Sequence, residues 1–291
     1  MKKVAIVSTK GGVGKTTITV GLARALALTG HTTGILDADF TAPNIPVALK
    51  SENSKPTLIK NSIILPPRID GIPFLSWGMI WPADSAVLID DRQISEDDLY
   101  FAVNLIRSEK YREAEKYLVW LAENPSGSCQ LMRTLLADGA VEWGNMEYLL
   151  IDTPPTTSGS IKEVITADLY GVVLITQPSR LSLADISRSL DLLRKRRVGI
   201  IGIVCNMIDC TFDLAESDII TFSAFQQVQY LGGVPMCTEG NILPYCIPIA
   251  EKVLSLTPQT LPEKERSEDW KIVAQTASQM SRLLGALKRK P

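Results

Sequence analysis

The stretch "KKVAIVSTKGGVGKTTITVGLARALALTG" (residues 2–30) narrows the possible folds more than any other part of the chain. "KKVAIVST" is a short β-branched, apolar run that reads as a buried first strand, and "TTITVGLARALALTG" reads as a helix closed by Gly30. Between them stand Lys10, Gly11, Gly12, Val13 and Gly14, then Lys15, Thr16 and Thr17. The usual phosphate-loop pattern is G-x-x-x-x-G-K-[S/T], and Thr9 occupies the place of its first glycine. The chemistry survives this departure. Glycines adopt backbone angles denied to other residues and can turn their N–H groups inward, while a helix N-terminus adds partial positive charge beneath an anion. Lys15 is then placed to neutralise β/γ-phosphate charge, Thr16 to ligate Mg2+ and Thr17 to reach the α-phosphate. An ordinary glycine turn has no need of strand, loop, Gly-Lys-Thr and helix in this order.

Further strands follow. "TTGILDADF" (32–40) ends in Asp37 and Asp39, and "YLLIDTPP" (148–155) carries Asp152 after an apolar run. "GVVLITQP" (171–178) and "VGIIGIVCNMID" (198–209) supply two more, with the helix "SLADISRSLDLLRKR" between them. Strands alternating with helices predict an α/β fold with a doubly wound, mostly parallel sheet and a site at the carboxyl ends of its strands. With 291 residues, 45% of them apolar, the chain can bury a full core as one domain over 1–291. Residues 62–92 look like short strands joined by Pro and Gly turns, forming an antiparallel edge. Residues 95–124 carry Leu99, Val103, Ile106, Tyr117 and Leu121 among many charges, which suggests amphipathic helices with Ser95 as a cap. With the loop "PSGS" they make a helical insertion over about 94–130, either a surface excursion or a partner-binding lobe.

Three acids at strand ends opposite a phosphate loop invite a division of labour. Asp152 sits where a Walker-B acid holds the Mg2+ shell, and Asp37 is placed to do the same. Asp39, two residues on along an extended chain, points the same way as Asp37 and is the candidate for positioning the attacking water. Asn206, after a buried strand, is a candidate reader of a purine edge. Asp209 imitates the Asn-Lys-x-Asp signature of guanine readers, but Met207 replaces its lysine, which favours adenine and hence ATP.

With 30 basic against 32 acidic side chains, net charge −2, nothing global points to nucleic acid or an anionic membrane as a partner. The basic start is followed by too short an apolar run for a signal peptide, and no run approaches transmembrane length. Five cysteines, an odd number, argue for a reducing, cytoplasmic setting rather than a disulfide framework. The only histidine, His31, reads as a loop residue. The tail at 269–290 has an apolar helical stripe with a basic end and reads as a core-packing helix rather than a membrane anchor.

"KGGVGKTT" resembles the deviant phosphate loop of the MinD/ParA/nitrogenase-iron-protein group. More narrowly, "LDADFTAPNIPVAL", "GIPFLSWGMIWP", Arg92, "VEWGNMEYLLIDTPPTTSG", "IGIVCNM" and "CIPIAE" are similar, in order, to motifs of Mrp-type ATP-binding carriers of iron–sulfur clusters. The resemblance implies a Mg-dependent ATPase that forms a homodimer on binding ATP. It assigns Lys10 the role of reaching the partner's nucleotide, and it places Pro248 of "CIPIAE" among the nucleotide-binding residues. Mrp-type carriers place a Cys-x-x-Cys pair shortly after the "NM" motif, whereas "IDCTFDLAESDII" follows here and leaves only Cys210 nearby. Cys237 or Cys246 would have to fold back to supply a second thiolate. The expectation is therefore no stable bridging cluster and an ATPase cycle that drives a protein partner. Thr156 also replaces the glycine expected after the two prolines of the switch. A MinD/ParA-like positioning switch and a nucleotide-binding scaffold with negligible turnover remain the competing readings.

Overall fold

A computed structural model describes residues 1–8, 10–39, 42–59, 63–76, 79, 132–133, 135–137, 139–154, 164–165, 167–237 and 241–262. The expected helical insertion, the terminal helix, Arg92, Thr156 and Cys129 lie outside these residues.

Among the described residues the main sheet has eight strands. In chain order they are β1 (Lys2–Val7), β2 (Thr33–Asp37), β5 (Arg68–Ile69), β6 (Ile72–Ser76), β7 (Tyr148–Asp152), β8 (Gly171–Thr176), β9 (Ile200–Asn206) and β10 (Tyr230–Val234). Their spatial order is β10-β9-β8-β1-β7-β2-β6-β5, and every pairing is parallel except β5 with β6. Two further strands, β3 (Thr57–Ile59) and β4 (Ile63–Leu65), pair antiparallel with each other. The helices are α1 (Lys15–Leu28), α2 (Ile45–Ala48), α3 (Arg180–Lys195), α4 (Glu216–Phe225) and α5 (Leu243–Ser255).

Successive residues of a strand point to opposite faces, so each apolar run serves two cores. Val4 and Ile6 of β1 pack with Leu22 and Leu26 of α1 and Ile249 and Val253 of α5. Ala5 and Val7 pack on the other face with Leu183, Ile186 and Leu190 of α3 and Phe222 of α4. Strands this thoroughly buried are what a parallel sheet covered on both faces requires, and the continuous runs "VAIV" and "YLLI" have that character.

One sequence expectation changes: within 62–92, the described residues 63–76 form more than an antiparallel edge, since β6 is wholly buried, pairs parallel with β2 and extends the main sheet, and β5 gives it an antiparallel border. The stretch 229–246, rich in turn residues, contains an edge strand and the start of a helix. Two glycines disguise β10. A Cβ on Gly233 would stand 2.3 Å from Glu216 Oε1, so close packing of α4 demands a residue that looks like a turn signal.

Candidate functional site

The loop between β1 and α1 lies where β1, β7 and β2 end together. Gly14 precedes α1 at φ +82° and makes no side-chain cap, which leaves the first N–H groups of the helix for an anion. Gly12 is also left-handed, at φ +80°. A Cβ on Gly14 would stand 2.2 Å from Asn206 Nδ2, so backbone angle and space both exclude a larger residue. Val13 is buried, whereas Lys10, Gly11 and Gly12 are exposed; the Ser8 hydroxyl donates to the Lys10 carbonyl at 3.1 Å. Thr17 stands half-buried in the first turn of α1.

Asp152, the last residue of β7, joins the loop to the sheet. Its Oδ1 accepts from Lys15 Nζ at 2.7 Å and from the Thr19 hydroxyl at 3.3 Å, and its Oδ2 accepts from the Thr16 hydroxyl at 2.6 Å. With 1% of Asp152 exposed, the Lys15 ion pair is shielded from water and ties the loop to β7. Asp37 is the neighbour of Asp152 in the β2–β7 register. Its carboxylate accepts from the N–H of Asp39 at 3.1 Å, the N–H of Ile45 at 3.1 Å and the Ser76 hydroxyl at 2.8 Å. Asp37 thus holds the turn after β2 and supplies one partner to the start of α2. Burial, then the charge of Asp152, push the Asp37 carboxyl up to about 7 against the pull of those three donors. Two buried acids side by side form a negative surplus that a dication relieves, so Thr16, Asp152 and Asp37 fit Mg2+ as a donor set.

Asp39 departs from the expectation. β2 ends at Asp37, and the chain folds back so that the N–H of Asp39 meets the Asp37 carboxylate, while Asp39 Oδ1 accepts from the N–H of Ala42 at 3.2 Å. The two acids are not successive same-side residues of one strand. Asp37 is buried in the turn, and Asp39 is half-buried at its rim.

Asn206 closes β9 and is almost fully buried, donating from Nδ2 to the Val13 carbonyl at 2.8 Å. That nitrogen buttresses the loop. Asp209 is similarly engaged: its carboxylate accepts the N–H of Met236 at 2.6 Å. Pro248 lies exposed inside α5, and no described hydrogen bond connects it with the loop. Gln177, just after β8, escaped the sequence reading. Its Nε2 reaches the Gly12 carbonyl at 3.5 Å and the Met207 sulfur at 2.9 Å. The signal was present, since Gln177 is a polar residue at a strand end, as Asn206 is.

Comparison with known proteins identifies the family and the fold. A family model described as "ParA: NUBPL iron-transfer P-loop NTPase" matches residues 1–96 and 110–280. The iron-sulfur cluster carrier protein of Methanocaldococcus jannaschii is 32% identical over 80% of this chain and 72% of its own length. The cytosolic Fe-S cluster assembly factor NUBP2 of Bos taurus is 28% identical over 89% of this chain and 94% of its own. The chain spans less of some relatives, 60% of the carrier from Methanococcus maripaludis. The septum site-determining protein MinD from Pyrococcus horikoshii, solved with Mg-ADP, shares the fold at a TM-score of 0.56 and 18% identity, with 98% of each chain covered. The chain belongs to the ParA/NUBPL iron-transfer P-loop NTPase family.

Proposed function

We propose that this chain is a cytoplasmic, Mg-dependent ATPase that pairs with a second copy when ATP is bound and serves iron–sulfur cluster assembly. The observation that carries the nucleotide part is the grip of Asp152 on both Lys15 and Thr16. Lys15 is placed to exchange Asp152 for the phosphates of a bound nucleotide. Thr16, Asp152 and Asp37 would hold Mg2+, which would supply positive charge against the phosphates. Asp39, at the rim of the same turn, holds the attacking water. Exposed Lys10 extends to the phosphates of the second copy. ATP rather than GTP is favoured because Met207 stands where guanine readers carry lysine and Asp209 is engaged with Met236. The assembly role is supported by the family and by the names of the relatives. One P-loop domain accounts for the chain, with an insertion inside 94–130, where the family match breaks between 96 and 110.

The absence of Cys-x-x-Cys favours a second reading, a MinD/ParA-like switch that recruits a protein partner and carries no cluster. Phosphate release and light scattering test the nucleotide cycle common to both. Asp39→Ala retains ATP and loses turnover by roughly two to four orders of magnitude. Lys10→Ala binds ATP as a monomer and fails to dimerise with a slowly hydrolysed analogue. Near-normal turnover in the first variant removes Asp39 from the mechanism, and a persistent dimer in the second confines Lys10 to its own loop.

A further inference from the structure

Two side-chain amides stand beside the phosphate loop. Thr176 of β8 pairs with Cys205 of β9, so the next residues, Gln177 and Asn206, come to the sheet edge side by side. Both are buried, with 8% and 4% exposed. Asn206 Nδ2 donates to the Val13 carbonyl at 2.8 Å, and Gln177 Nε2 donates to the Gly12 carbonyl at 3.5 Å and to the Met207 sulfur at 2.9 Å. A carbonyl and a thioether only accept, so it is the nitrogen of Gln177, not its oxygen, that faces them. Met207 itself lies against the loop, its Cε 3.7 Å from the place of a Cβ on Gly14.

Two consecutive peptide groups of the loop are therefore held by their oxygens. The Gly12 carbonyl shares a planar peptide with the Val13 N–H, and the Val13 carbonyl shares the next one with the Gly14 N–H. No described peptide bond is cis, so in each group the N–H points away from the carbonyl. Drawing the two carbonyls towards the ends of β8 and β9 turns the two N–H groups the other way. Among the described residues neither N–H has a hydrogen-bond partner, although Val13 is only 2% exposed. Such groups are costly to leave unpaired, and consecutive N–H groups turned to one side suit an anion.

We propose that Gln177 is a positioning residue of the nucleotide site: through the Gly12 carbonyl it sets the peptide plane that aims the Val13 N–H at phosphate oxygens, as Asn206 sets the next plane and the Gly14 N–H. This role rests on the nucleotide reading above. The two amides hold their planes unequally. At 2.8 Å the Asn206 bond fixes the Val13–Gly14 plane, whereas at 3.5 Å the Gly12–Val13 plane is held loosely. The Met207 sulfur meanwhile keeps the Gln177 nitrogen in place. A phosphate that accepts from the Val13 N–H rotates its plane and brings the Gly12 carbonyl onto Gln177, so this second bond tightens as the anion binds. Gln177 thus acts on the anion through the backbone, without touching it.

The test uses the full chain with MgADP and, separately, inorganic pyrophosphate, read by calorimetry and by the amide signals of a heteronuclear NMR spectrum. In wild type both ligands move the backbone signals of Val13 and Gly14 and the side-chain amide signals of Gln177. Gln177→Met keeps the bulk of the side chain and removes its donor. With circular dichroism unchanged, it weakens binding of both ligands by roughly two- to tenfold, the worth of one such hydrogen bond. In that variant the ligand-induced movement of the Val13 signal shrinks and that of Gly14 persists; in Asn206→Ala the order is reversed. A side chain that merely packs against the loop would alter the two signals together, and that result overturns the role, as does wild-type affinity in Gln177→Met. If the Met variant does not fold, the wild-type spectrum decides, since Gln177 side-chain signals indifferent to pyrophosphate also overturn the role. Wild type that binds neither ligand overturns the nucleotide reading itself, whereas wild type that binds them with any of the contrary Gln177 results overturns this role alone.

Discussion

The two ends of the sheet edge are held together differently. Where β1, β2 and β7 end, Lys15, Thr16, Asp37 and Asp152 meet in a buried, charged network whose contacts are hydrogen bonds of 2.6–3.1 Å. Where β9 and β10 end, the Cys210 thiol donates to the sulfur of exposed Met236, and Asp209 accepts the Met236 N–H. The first end is built around a contiguous motif, because a phosphate needs several N–H groups of one loop and one helix N-terminus. The second joins residues on separate segments through one backbone donor and one thiol donor. A buried charge needs a partner, and Lys15 supplies it to Asp152.

The largest expected effect falls on the first end alone. Lys15→Ala removes both the cation for the phosphates and the partner of a buried carboxylate, so calorimetry should find MgATP binding abolished. Thermal stability should fall as well, because Asp152 is left buried and uncompensated. Retained MgATP affinity in a variant that still folds would remove Lys15 from the site.

A second test uses pH. The Asp37 carboxyl is held near 7 in the metal-free fold against an ordinary 3.8, so the folded chain keeps a proton that the unfolded chain has lost. The stability this gives is present at acidic pH and declines as pH rises from about 4 through about 7. Melting midpoints in the presence of a chelator should show that slope in wild type and a flatter one in Asp37→Asn. Equal slopes would mean that the negative surplus belongs to other groups.

The sequence showed these two ends unequally. Lys15, Thr16, Asp37 and Asp152 could be found because β-branched runs and the loop motif fix strand ends locally, and strand ends of a parallel sheet converge. The geometry expected at Asp39 differed because period-2 reasoning assumed that the strand continued, whereas Asp37 turns the chain by accepting the Asp39 N–H. The junction after β9 and β10 was harder to see for a topological reason. β10 is marked by Gly232 and Gly233, which read as turn signals, and without β10 nothing in the sequence brings Met236 to Cys210. Asn206 was found as a strand-end amide, but the partner of its nitrogen was not, since that contact joins residues far apart in the chain.

Asn206 is also where the two ends meet, and it carries the smallest predicted effect. It closes β9, its side chain holds the Val13 carbonyl of the loop, and the same strand leads on to Asp209 and Cys210. Asn206→Ala should retain the fold. The net loss of one such hydrogen bond, about 0.5–1.5 kcal/mol, corresponds to a decrease in MgADP affinity of roughly two- to tenfold. Unchanged affinity in the variant would place the support of the loop elsewhere, with the Gln177 contacts to Gly12 and Met207 as the next route to test.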